Sequence, residues 1–235
     1  MRPSLINTLK KQYKILTGKI TSFKIEHKCP HVWYGNSYGG FYVNPELLHA
    51  DSIIYSFGIG QDTSFDDTLI QKHNCHVFGY DPTPKSIEWI AQRTDLSPKF
   101  HFHPVGLDNK TGITHFNLPK NKEHVSGSII NHPNVDEHNM VEVQMKSIVD
   151  IALENNHTYI DILKMDIEGS EYCVIDSILD SSIEVKQILL EIHERFFDDG
   201  MEKTKSLLDS LRRHGYQIFG VSDTLEEISF IKVLD

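Results

Sequence analysis

The sequence predicts an α/β domain whose mostly parallel sheet carries helices on both faces. From residue 51 onward, apolar runs of strand character alternate with segments of helical periodicity, which is the pattern of such a sheet. The first run, residues 52–57, ends in a glycine turn and leads into a helix. The last two runs, residues 216–221 and 228–233, leave no room for a crossover helix between them, so they must form an antiparallel hairpin. The predicted fold is therefore Rossmann-like, with a hairpin at its C-terminal end.

Local signals place the elements between these runs. The segment Asp81-Pro82-Thr83-Pro84 ends a strand and begins a helix, because proline suits an early helical position that needs no amide donor. Gly215 ends the last helix. Strands are also predicted at residues 75–80, 100–105, 112–117, 141–146, 159–165 and 187–193, and helices at residues 64–73, 84–91, 147–154, 168–179 and 201–214. Residues 121–139, rich in Asn, His, Ser, Gly and Pro, are predicted to form a loop or lid.

The first fifty residues show no such alternation. We therefore predict an N-terminal arm or cap, residues 1–50, before a single α/β domain, residues 51–235. Residues 33–42 hold five aromatic residues and three glycines. Their rings could stack on a sugar or another ring of a ligand, or they could pack on the core from a glycine-turn hairpin. The hairpin is favoured, because aromatic side chains are ordinary core material.

The composition excludes several classes of protein. Hydrophobic residues make up 39% of the chain and charged residues 24%, which indicates a globular fold. The formal net charge of -10 opposes binding to phosphate backbones, so we expect no nucleic-acid partner. No stretch approaches the ~20 apolar residues that cross a bilayer, and the start lacks the apolar core of a signal peptide. We therefore expect no membrane span and a cytoplasmic location, and we leave a homo-oligomer open.

The cysteines and the closest histidine pair suggest no metal clip. His101 and His103 alternate with phenylalanines, which favours a solvent-facing strand edge over a metal site with so few Cys or acidic residues nearby. The cysteines are far apart in the sequence, and neither a disulfide framework nor a CxxC motif is present. We expect reduced thiols in core or near-core positions for Cys29, Cys75 and Cys173.

A glycine turn after the first strand indicates a ligand site. Gly58 and Gly60 let a ligand approach the backbone where a side chain would collide, and the next helix offers free amides. In a nicotinamide-binding GxGxxG fingerprint the third glycine would fall at position 63, where this chain has Thr63. The expected ligand is therefore one without a pyrophosphate.

The ends of the next two strands extend this site. Asp81 lies 21 residues after Gly60, at a strand end from which a carboxylate can accept hydrogen bonds from both hydroxyls of an adenosine ribose. Val105 and Gly106 would lie beside the adenine. Asp166, at the end of the fourth strand, is added to this set. The candidate cofactor-binding residues are therefore Phe57, Gly58, Gly60, Asp62, Thr63, Asp81, Val105, Gly106 and Asp166.

Two further strand ends supply candidate catalytic residues. Asp166 and Glu168 follow an apolar strand, and the carboxyl ends of such strands face the ligand crevice. Glu171 is interpreted only as a first-turn carboxylate of the next helix. Glu191 and His193 share one side of the following strand, because strand side chains alternate. His193 is the leading general-base candidate, although a histidine satisfied by the backbone explains it equally well.

A metal ion is a variant of this hypothesis. Carboxylate oxygens together with an imidazole suit Mg²⁺ or Mn²⁺. If an ion is present, its ligands would be Asp166, Glu168, Glu191 and His193.

These motifs resemble those of one family. The segment Lys164-Met165-Asp166-Ile167-Glu168-Gly169-Ser170-Glu171 resembles the K-x-D-[IV]-E-G-x-E signature of FkbM-type methyltransferases. The glycine turn, the Asp81 run and the Glu191-Ile192-His193 segment occur in the same order as in that family. The turn itself, Tyr55-Ser56-Phe57-Gly58-Ile59-Gly60, departs from the common D-[IV]-G-A-N-x-G form, so the first acidic residue of that form has no counterpart here.

The resemblance implies a fold, a cofactor and a reaction. The fold would be that of a class I methyltransferase, with a mostly parallel seven-stranded sheet that ends in an antiparallel hairpin. S-adenosylmethionine would be the cofactor, bound by Gly58, Gly60 and Asp81. The reaction would be O-methylation of a hydroxyl on a sugar or other small metabolite. A catalytically inactive cofactor-binding or partner protein of the same fold is the alternative, and an NAD-dependent oxidoreductase, disfavoured by Thr63 and the terminal hairpin, comes third.

Overall fold

The computed structural model describes residues 13, 15, 20–120 and 135–233. In chain order, the strands are β1 (Val32–Tyr34), β2 (Phe41–Val43), β3 (Ile53–Phe57), β4 (His76–Tyr80), β5 (Phe100–His103), β6 (Gly106–Leu107), β7 (Gly112–Pro119), β8 (Val135–Lys146), β9 (Tyr159–Met165), β10 (Glu184–Glu191), β11 (Tyr216–Val221) and β12 (Glu227–Lys232). The α-helices are α1 (Ser64–His73), α2 (Pro84–Gln92), α3 (Ile148–Asn155), α4 (Glu171–Leu179) and α5 (Gly200–Arg213).

Seven of the described strands form the main sheet, in the order β11-β12-β10-β9-β3-β4-β5. The strands from β10 to β5 run parallel to their neighbours. Strand β12 lies between β10 and β11 and is antiparallel to both. The prediction of a mostly parallel seven-stranded sheet with a C-terminal hairpin is confirmed.

The parallel pairing brings four strand ends to one edge of this sheet. Phe57, the last residue of β3, lies opposite Tyr80 of β4 and Met165 of β9. On the far side of β9, Met165 pairs with Leu190 of β10, and Glu191 lies opposite Glu227 at the start of β12. Ligands of open α/β sheets bind outside such carboxyl ends. This edge is therefore the place to look for a functional site.

The core lies in two layers, one on each face of the sheet. Helices α3, α4 and α5 pack their apolar residues with one set of strand side chains, and α1 and α2 pack with the other. Alternation along the buried strands sends neighbouring residues such as Ile54 and Tyr55 to opposite layers. The predicted arrangement of helices on both faces is confirmed. Among the helices of the described residues, none is long and apolar enough to cross a membrane.

The N-terminal segment contributes a hairpin to one of these layers. Strands β1 and β2 pair antiparallel, and β2 packs against β10, β11 and β12. The buried side chain of Gln187 accepts a hydrogen bond from the Asn44 amide at 2.9 Å and donates one to the Asn44 carbonyl at 3.3 Å. Tyr34 and Phe41 are buried in the core, as the hairpin interpretation of residues 33–42 predicts. The predicted arm thus contains, in its described part, a hairpin fixed to the sheet.

Strands β6, β7 and β8, which lie between β5 and α3 in chain order, form a smaller three-stranded sheet, called here the second sheet. Strands β7 and β8 pair antiparallel, and β6 joins β8 in parallel. Strand β8 begins at Val135, so the predicted loop at residues 121–139 is wrong for residues 135–139, which the pairing with β7 draws into the sheet. Residues 121–134 of that prediction lie outside the described residues.

Three smaller predictions also differ from the structure. Helix α4 begins at Glu171 rather than Glu168, because Glu168 and Gly169 adopt positive φ angles of 54° and 94°. Strand β10 ends at Glu191, so His193 lies beyond it at the start of a short 3-10 helix. Cys173, on α4, is exposed rather than near the core, whereas Cys75 is buried as expected.

The edge strand β5 makes stability sensitive to acid. His101 stacks on the exposed His76 with ring centroids 5.3 Å apart, and His103 stacks on Tyr80 at 4.9 Å. Burial, aided by neighbouring charges, lowers the pKa of His101 and His103. Because their folded pKa values are depressed, the unfolded state binds more protons near pH ~6.5 and below. The contribution of these two neutral histidines to folding stability is therefore fully present above that pH, and it is lost as the pH falls through their lowered pKa values.

We expect this loss to depend on the stacked rings. Replacing His103 by Phe should make the melting temperature fall less between pH 7 and pH 5 than it does in the wild-type protein. The control is His115→Phe on β7, whose side chain is 64% exposed and for which we expect the wild-type slope. Equal slopes in all three proteins would contradict this assignment.

Candidate functional site

A cavity of about 770 Å³ opens at the carboxyl edge of the parallel strands. This volume lies within the range of about 300–1,000 Å³ that is usual for small-molecule and cofactor sites. Most of the predicted cofactor-binding residues line it, namely Phe57, Gly58, Gly60, Asp62, Asp81, Gly106 and Asp166. Thr63 and Val105 do not: the Thr63 hydroxyl donates to Asp67 within α1, and Val105 packs on the apolar core.

The two glycines of the turn have different roles. Gly58 has a φ of 81°, and a Cβ atom built there would lie 1.7 Å from the carbonyl oxygen of Asp166. Gly60 has a φ of 57°, and a Cβ atom there would meet no atom within 4 Å. Gly58 is thus required by the close approach of β3 and β9. Gly60 keeps open a space beside the turn that a ligand can occupy.

Asp81 is fixed at the end of β4. Its Oδ2 accepts a hydrogen bond from the Gly60 amide at 2.8 Å, and its Oδ1 accepts from the Thr83 amide and hydroxyl at 2.8 and 2.6 Å. Burial raises the pKa of Asp81, although these hydrogen bonds oppose the shift. A carboxylate has about four acceptor positions, so Asp81 can still accept hydrogen bonds from a ligand in the cavity. The fixed carboxylate fits the predicted contact with a ribose.

Beyond Asp81, the second sheet closes one end of the cavity. Gly106 and Leu107 of β6 line this end, together with Phe116 of β7 and Met145 of β8. Phe116 and Met145 are buried and belong to a small apolar cluster. The apolar surface suits a flat aromatic ring such as adenine.

The ends of β9 and β10 bring together all four predicted catalytic or metal-binding residues. Nε2 of His193 lies 3.8 Å from Asp166, 3.6 Å from Glu168 and 3.5 Å from Glu191. The three carboxylates line the cavity, whereas His193 is 1% exposed and lies behind them. The four residues lie together as the sequence predicted, although His193 reaches the others from beyond the strand end rather than by strand alternation. Their catalytic and metal-binding roles stay predictions.

Glu171 has a larger role than the first-turn carboxylate predicted from the sequence. Its carboxylate is fully buried and accepts hydrogen bonds from the amides of Ile167 and Gly169 at 2.7 and 2.9 Å. It also lies 3.2 Å from Nδ1 of His193. Glu171 therefore fixes both the loop that presents Asp166 and Glu168 and the imidazole behind them. The last position of the K-x-D-[IV]-E-G-x-E signature was the available signal.

The crowded carboxylates change the protonation of this group. Burial alone would lower the pKa of His193, but Glu171, Glu191 and Asp166 outweigh it and raise the pKa to about 10. Burial and the neighbouring Asp166 raise the pKa of Glu191. His193 is therefore an imidazolium at neutral pH, held among four acidic side chains.

A metal ion at this group stays a hypothesis. Ligand atoms of Asp166, Glu171 and His193 all lie within 4.8 Å of one another. However, both Glu171 oxygens already accept backbone hydrogen bonds, and an imidazolium has no free lone pair for a metal. The charge of the imidazolium is an alternative way of balancing these carboxylates.

The loop of the β1–β2 hairpin covers part of the cavity. The side chain of Asn36 accepts hydrogen bonds from the amides of Tyr38 and Gly39 and donates one to Asp62 at 2.7 Å. Asp62 of the glycine turn is thereby joined to the hairpin. Tyr38 is 89% exposed and lines the cavity near Glu191, unlike the buried aromatic residues of the same hairpin. The hairpin interpretation is confirmed for the buried aromatic residues, whereas stacking of Tyr38 on a ligand stays a prediction.

The loop before β12 completes the wall beside Glu191. Arg195 donates a hydrogen bond to Glu226 at 2.6 Å and lies 3.8 Å from Glu191. Thr224 donates to Glu227 at 2.6 Å. The cavity surface here is mostly acidic. Thr224, Glu226 and Glu227 could not be identified from the sequence, because only the antiparallel insertion of β12 beside β10 brings them to the site. Arg195 comes from the short 3-10 helix that follows β10.

Comparisons with known proteins give a family and a few relatives. The model of the methyltransferase FkbM domain matches residues 23–218. The human probable methyltransferase-like protein 24 is 24% identical over 146 residues, which are 60% of this chain and 32% of that protein. The chain thus spans about a third of that relative's length.

Solved structures are similar at low identity. Fibrillarin from Aeropyrum pernix, with natively bound S-adenosyl-L-methionine, has a TM-score of 0.44 and 9% identity over 80% of this chain and 68% of that one. Human N-acetylserotonin methyltransferase, in complex with the same cofactor, has a TM-score of 0.37 and 10% identity over 79% of this chain and 48% of that one.

Proposed function

The chain belongs to the methyltransferase FkbM domain family, and from this premise we propose that it transfers the methyl group of S-adenosylmethionine to a hydroxyl oxygen of a sugar or other small metabolite. Membership in this family weighs against the nicotinamide oxidoreductase considered above. The observation that supports the proposal best is the shared cavity. It joins a glycine turn and a fixed Asp81 to three carboxylates at the neighbouring strand ends.

The residues present fit S-adenosylmethionine. Asp81 would accept hydrogen bonds from the ribose, and the apolar end beside Gly106 would hold the adenine. The open space at Gly60 would take the part of the cofactor that passes the glycine turn. The sulfonium cation would lie toward Asp166 and Glu168, whose carboxylates line the cavity and favour a positive charge.

When bound, the cofactor supplies an electrophilic methyl group for an in-line displacement. The chain must therefore hold the acceptor oxygen in line with that group and accept its proton. We assign these tasks to Asp166 and Glu168, which line the cavity and are braced by His193. His193, predicted from sequence as the base, is proposed instead as a positioning residue because it is buried and cationic.

The cavity wall supports a neutral acceptor. Glu191, Glu226 and Glu227 would accept hydrogen bonds from hydroxyl groups, and the Tyr38 ring could stack on a sugar face. A small polyhydroxylated acceptor thus suits this wall, and the absence of a nucleic-acid partner stays a prediction. The cytoplasmic location and the division at residue 50 stay predictions as well.

The reaction can be tested by the product of the cofactor. We expect the purified chain to release S-adenosylhomocysteine from S-adenosylmethionine when given a panel of sugars and small alcohols. Asp166→Asn should slow this release about a hundredfold or more, because it removes the proton acceptor. Asp199→Asn, with a side chain 62% exposed, is the matched control and should keep the wild-type rate. Binding of the cofactor without release by any acceptor would favour the catalytically inactive alternative.

The pH profile of the same reaction tests His193. The His193 charge acts to lower the pKa of Glu191, so removing it in His193→Gln should move the pH profile of the rate to higher pH. An unchanged profile would remove His193 from the site's chemistry.

A chelator tests the metal hypothesis. S-adenosylhomocysteine release that survives incubation with excess EDTA would rule out an ion at Asp166, Glu168, Glu191 and His193. A loss that added Mg²⁺ or Mn²⁺ restores would support it.

A further inference from the structure

One aromatic side chain of the β1–β2 hairpin lies apart from the others. Tyr34 and Phe41 are buried in the core. The rings of Trp33 and Tyr42 pack edge to face, with their centroids 5.1 Å apart. Tyr38, in the loop between the two strands, is instead 89% exposed and lines the cavity. Small-molecule sites are lined mostly by aromatic and apolar side chains, so the position of Tyr38 indicates a ring face that is available to a ligand.

Asn36 fixes the backbone that carries Tyr38. Its Oδ1 accepts hydrogen bonds from the amides of Tyr38 and Gly39 at 2.7 and 2.8 Å. Its carbonyl oxygen accepts one from Nε1 of Trp33 at 2.8 Å. Hydrogen bonds from an asparagine side chain to the amide two residues further on stabilise a tight turn. One side chain thus sets the conformation of the loop at Tyr38.

Asn36 also joins this loop to the glycine turn after β3. Its Nδ2 donates to Oδ2 of Asp62 at 2.7 Å, and its amide donates to the Ser64 hydroxyl at 3.0 Å. The two segments lie so close that a Cβ atom at Gly39 would be 2.8 Å from Oδ2 of Asp62. Asp62 itself lines the cavity. Tyr38 is therefore held at a defined place on the cavity wall.

Tyr38 lies at the acidic end of the cavity, beside the carboxylates at the ends of β9 and β10. Desolvation and the nearby charges of Glu191, Asp166 and Glu168 raise the pKa of Tyr38. The positive charge of Arg195 opposes this shift. Because charges act strongly on a hydroxyl group only over short distances, Tyr38 faces the part of the cavity in which the acceptor is placed above. The aromatic ring and the carboxylates are thus available to the same ligand.

A cyclic sugar matches this combination of surfaces. Its ring presents a face of C–H groups that can stack on an aromatic ring, and its hydroxyl groups can donate hydrogen bonds to carboxylates. We propose that Tyr38 selects the methyl acceptor by stacking on the ring of a pyranose sugar, and that Asn36 positions Tyr38 for this contact. The inference rests on the proposed function and deepens it, because it separates cyclic sugars from other hydroxylated acceptors. An acyclic polyol offers similar hydroxyl groups without a ring face.

Paired acceptors test the selection of a ring. The methyl glycosides of glucopyranose, galactopyranose and mannopyranose are compared with the alditols glucitol, galactitol and mannitol, by the release of S-adenosylhomocysteine from S-adenosylmethionine. We expect kcat/KM to be at least about tenfold higher for the best glycoside than for the best alditol, because only the glycoside gains the aromatic contact. Equal or higher values for the alditols would overturn the inference alone. Release with neither class would contradict the proposed function, and the inference with it.

Substitution of Tyr38 tests its part in this selection. Tyr38→Ala should raise KM for the best glycoside at least about tenfold and leave kcat within about twofold, because the ring binds ground state and transition state alike. Tyr38→Phe keeps the ring and should keep the wild-type KM, and S-adenosylhomocysteine should bind to both variants with wild-type affinity. The control is Tyr13→Ala, since Tyr13 is 62% exposed and lies outside the cavity wall. An unchanged KM in Tyr38→Ala, or an equal rise in Tyr38→Phe, would overturn the inference.

Asn36→Asp tests the positioning role. The variant keeps the Oδ1 that accepts from the Tyr38 and Gly39 amides, but it replaces the donor to Asp62 by a second carboxylate oxygen. Repulsion between the two carboxylates should separate the loop from the glycine turn and raise the glycoside KM about fivefold. Combined with Tyr38→Ala, it should raise KM no further than Tyr38→Ala alone, because the two residues act through one contact. Independent rises that multiply in the double variant, or an unchanged KM in Asn36→Asp, would overturn the role of Asn36.

Discussion

Gly58→Ala is expected to prevent stable folding, whereas Gly60→Ala is expected to leave a folded protein that no longer binds the cofactor well. At position 58 the new Cβ would lie 1.7 Å from the backbone oxygen of Asp166, at a φ of 81°. The clash can be relieved only by separating β3 from β9, where Asp166 donates its amide to the Phe57 carbonyl at 3.1 Å. We expect a loss of more than about 3 kcal/mol in the free energy of unfolding.

At position 60 the Cβ meets no protein atom, so the loss is limited to the cost of a positive φ, about 1–2 kcal/mol. The methyl group then projects into space that the cofactor needs, and the affinity for S-adenosylhomocysteine should fall at least about tenfold. Thermal unfolding and calorimetry of the two variants provide the measurement. A stable Gly58→Ala protein, or a Gly60→Ala protein with wild-type affinity, would contradict the assigned roles.

The second large effect is expected from His193→Gln, which leaves four acidic side chains without their buried cation. Breaking a buried ion pair by removing one partner typically costs about 3–5 kcal/mol, and we expect a loss of this size in urea unfolding at pH 7. The folded pKa of His193, about 10, lies above its unfolded value of ~6.5. The stabilisation is therefore complete below pH ~6.5 and is lost as the pH rises through about 10.

His214→Gln is the matched control for this prediction. Nε2 of His214 lies within hydrogen-bond distance of Asp180, at 3.2 Å, but the Asp180 side chain is 73% exposed. Such surface pairs contribute about 0–1 kcal/mol. If His193→Gln lowers the free energy of unfolding no more than His214→Gln at pH 7, the imidazolium does not stabilise the cluster of four acidic side chains.

The sequence predicted the fold well because its signals are local and periodic. The bounds of α1 and of β9 agree with the structure residue for residue, since helical spacing and a continuous apolar run mark them. The terminal hairpin was predicted from the short connection between its two strands, which leaves no room for a crossover helix. The start of α4 was wrong, because a buried side chain, Glu171, decides where the preceding loop turns. Contacts of that kind leave no periodic trace in a sequence.

The candidate site was predictable where strand ends supply it and hidden where tertiary packing does. Gly58, Gly60, Asp81 and Asp166 follow strands, and the topology of a parallel sheet brings such residues together. Tyr38 enters from a hairpin far from these strands in sequence. Asp66 resembles any acidic residue in a first helical turn until its burial beside the cavity is known. Burial and satisfaction of hydrogen bonds are properties of the folded chain.

The central claim is that the cavity at the carboxyl edge of the sheet binds S-adenosylmethionine. Calorimetric titration of the purified chain with S-adenosylmethionine and, separately, with NAD tests it most directly. We expect one equivalent of S-adenosylmethionine to bind, no heat of binding from NAD, and loss of the S-adenosylmethionine signal in Asp81→Ala. Binding of NAD without S-adenosylmethionine, or binding of S-adenosylmethionine that Asp81→Ala leaves unchanged, would contradict the claim.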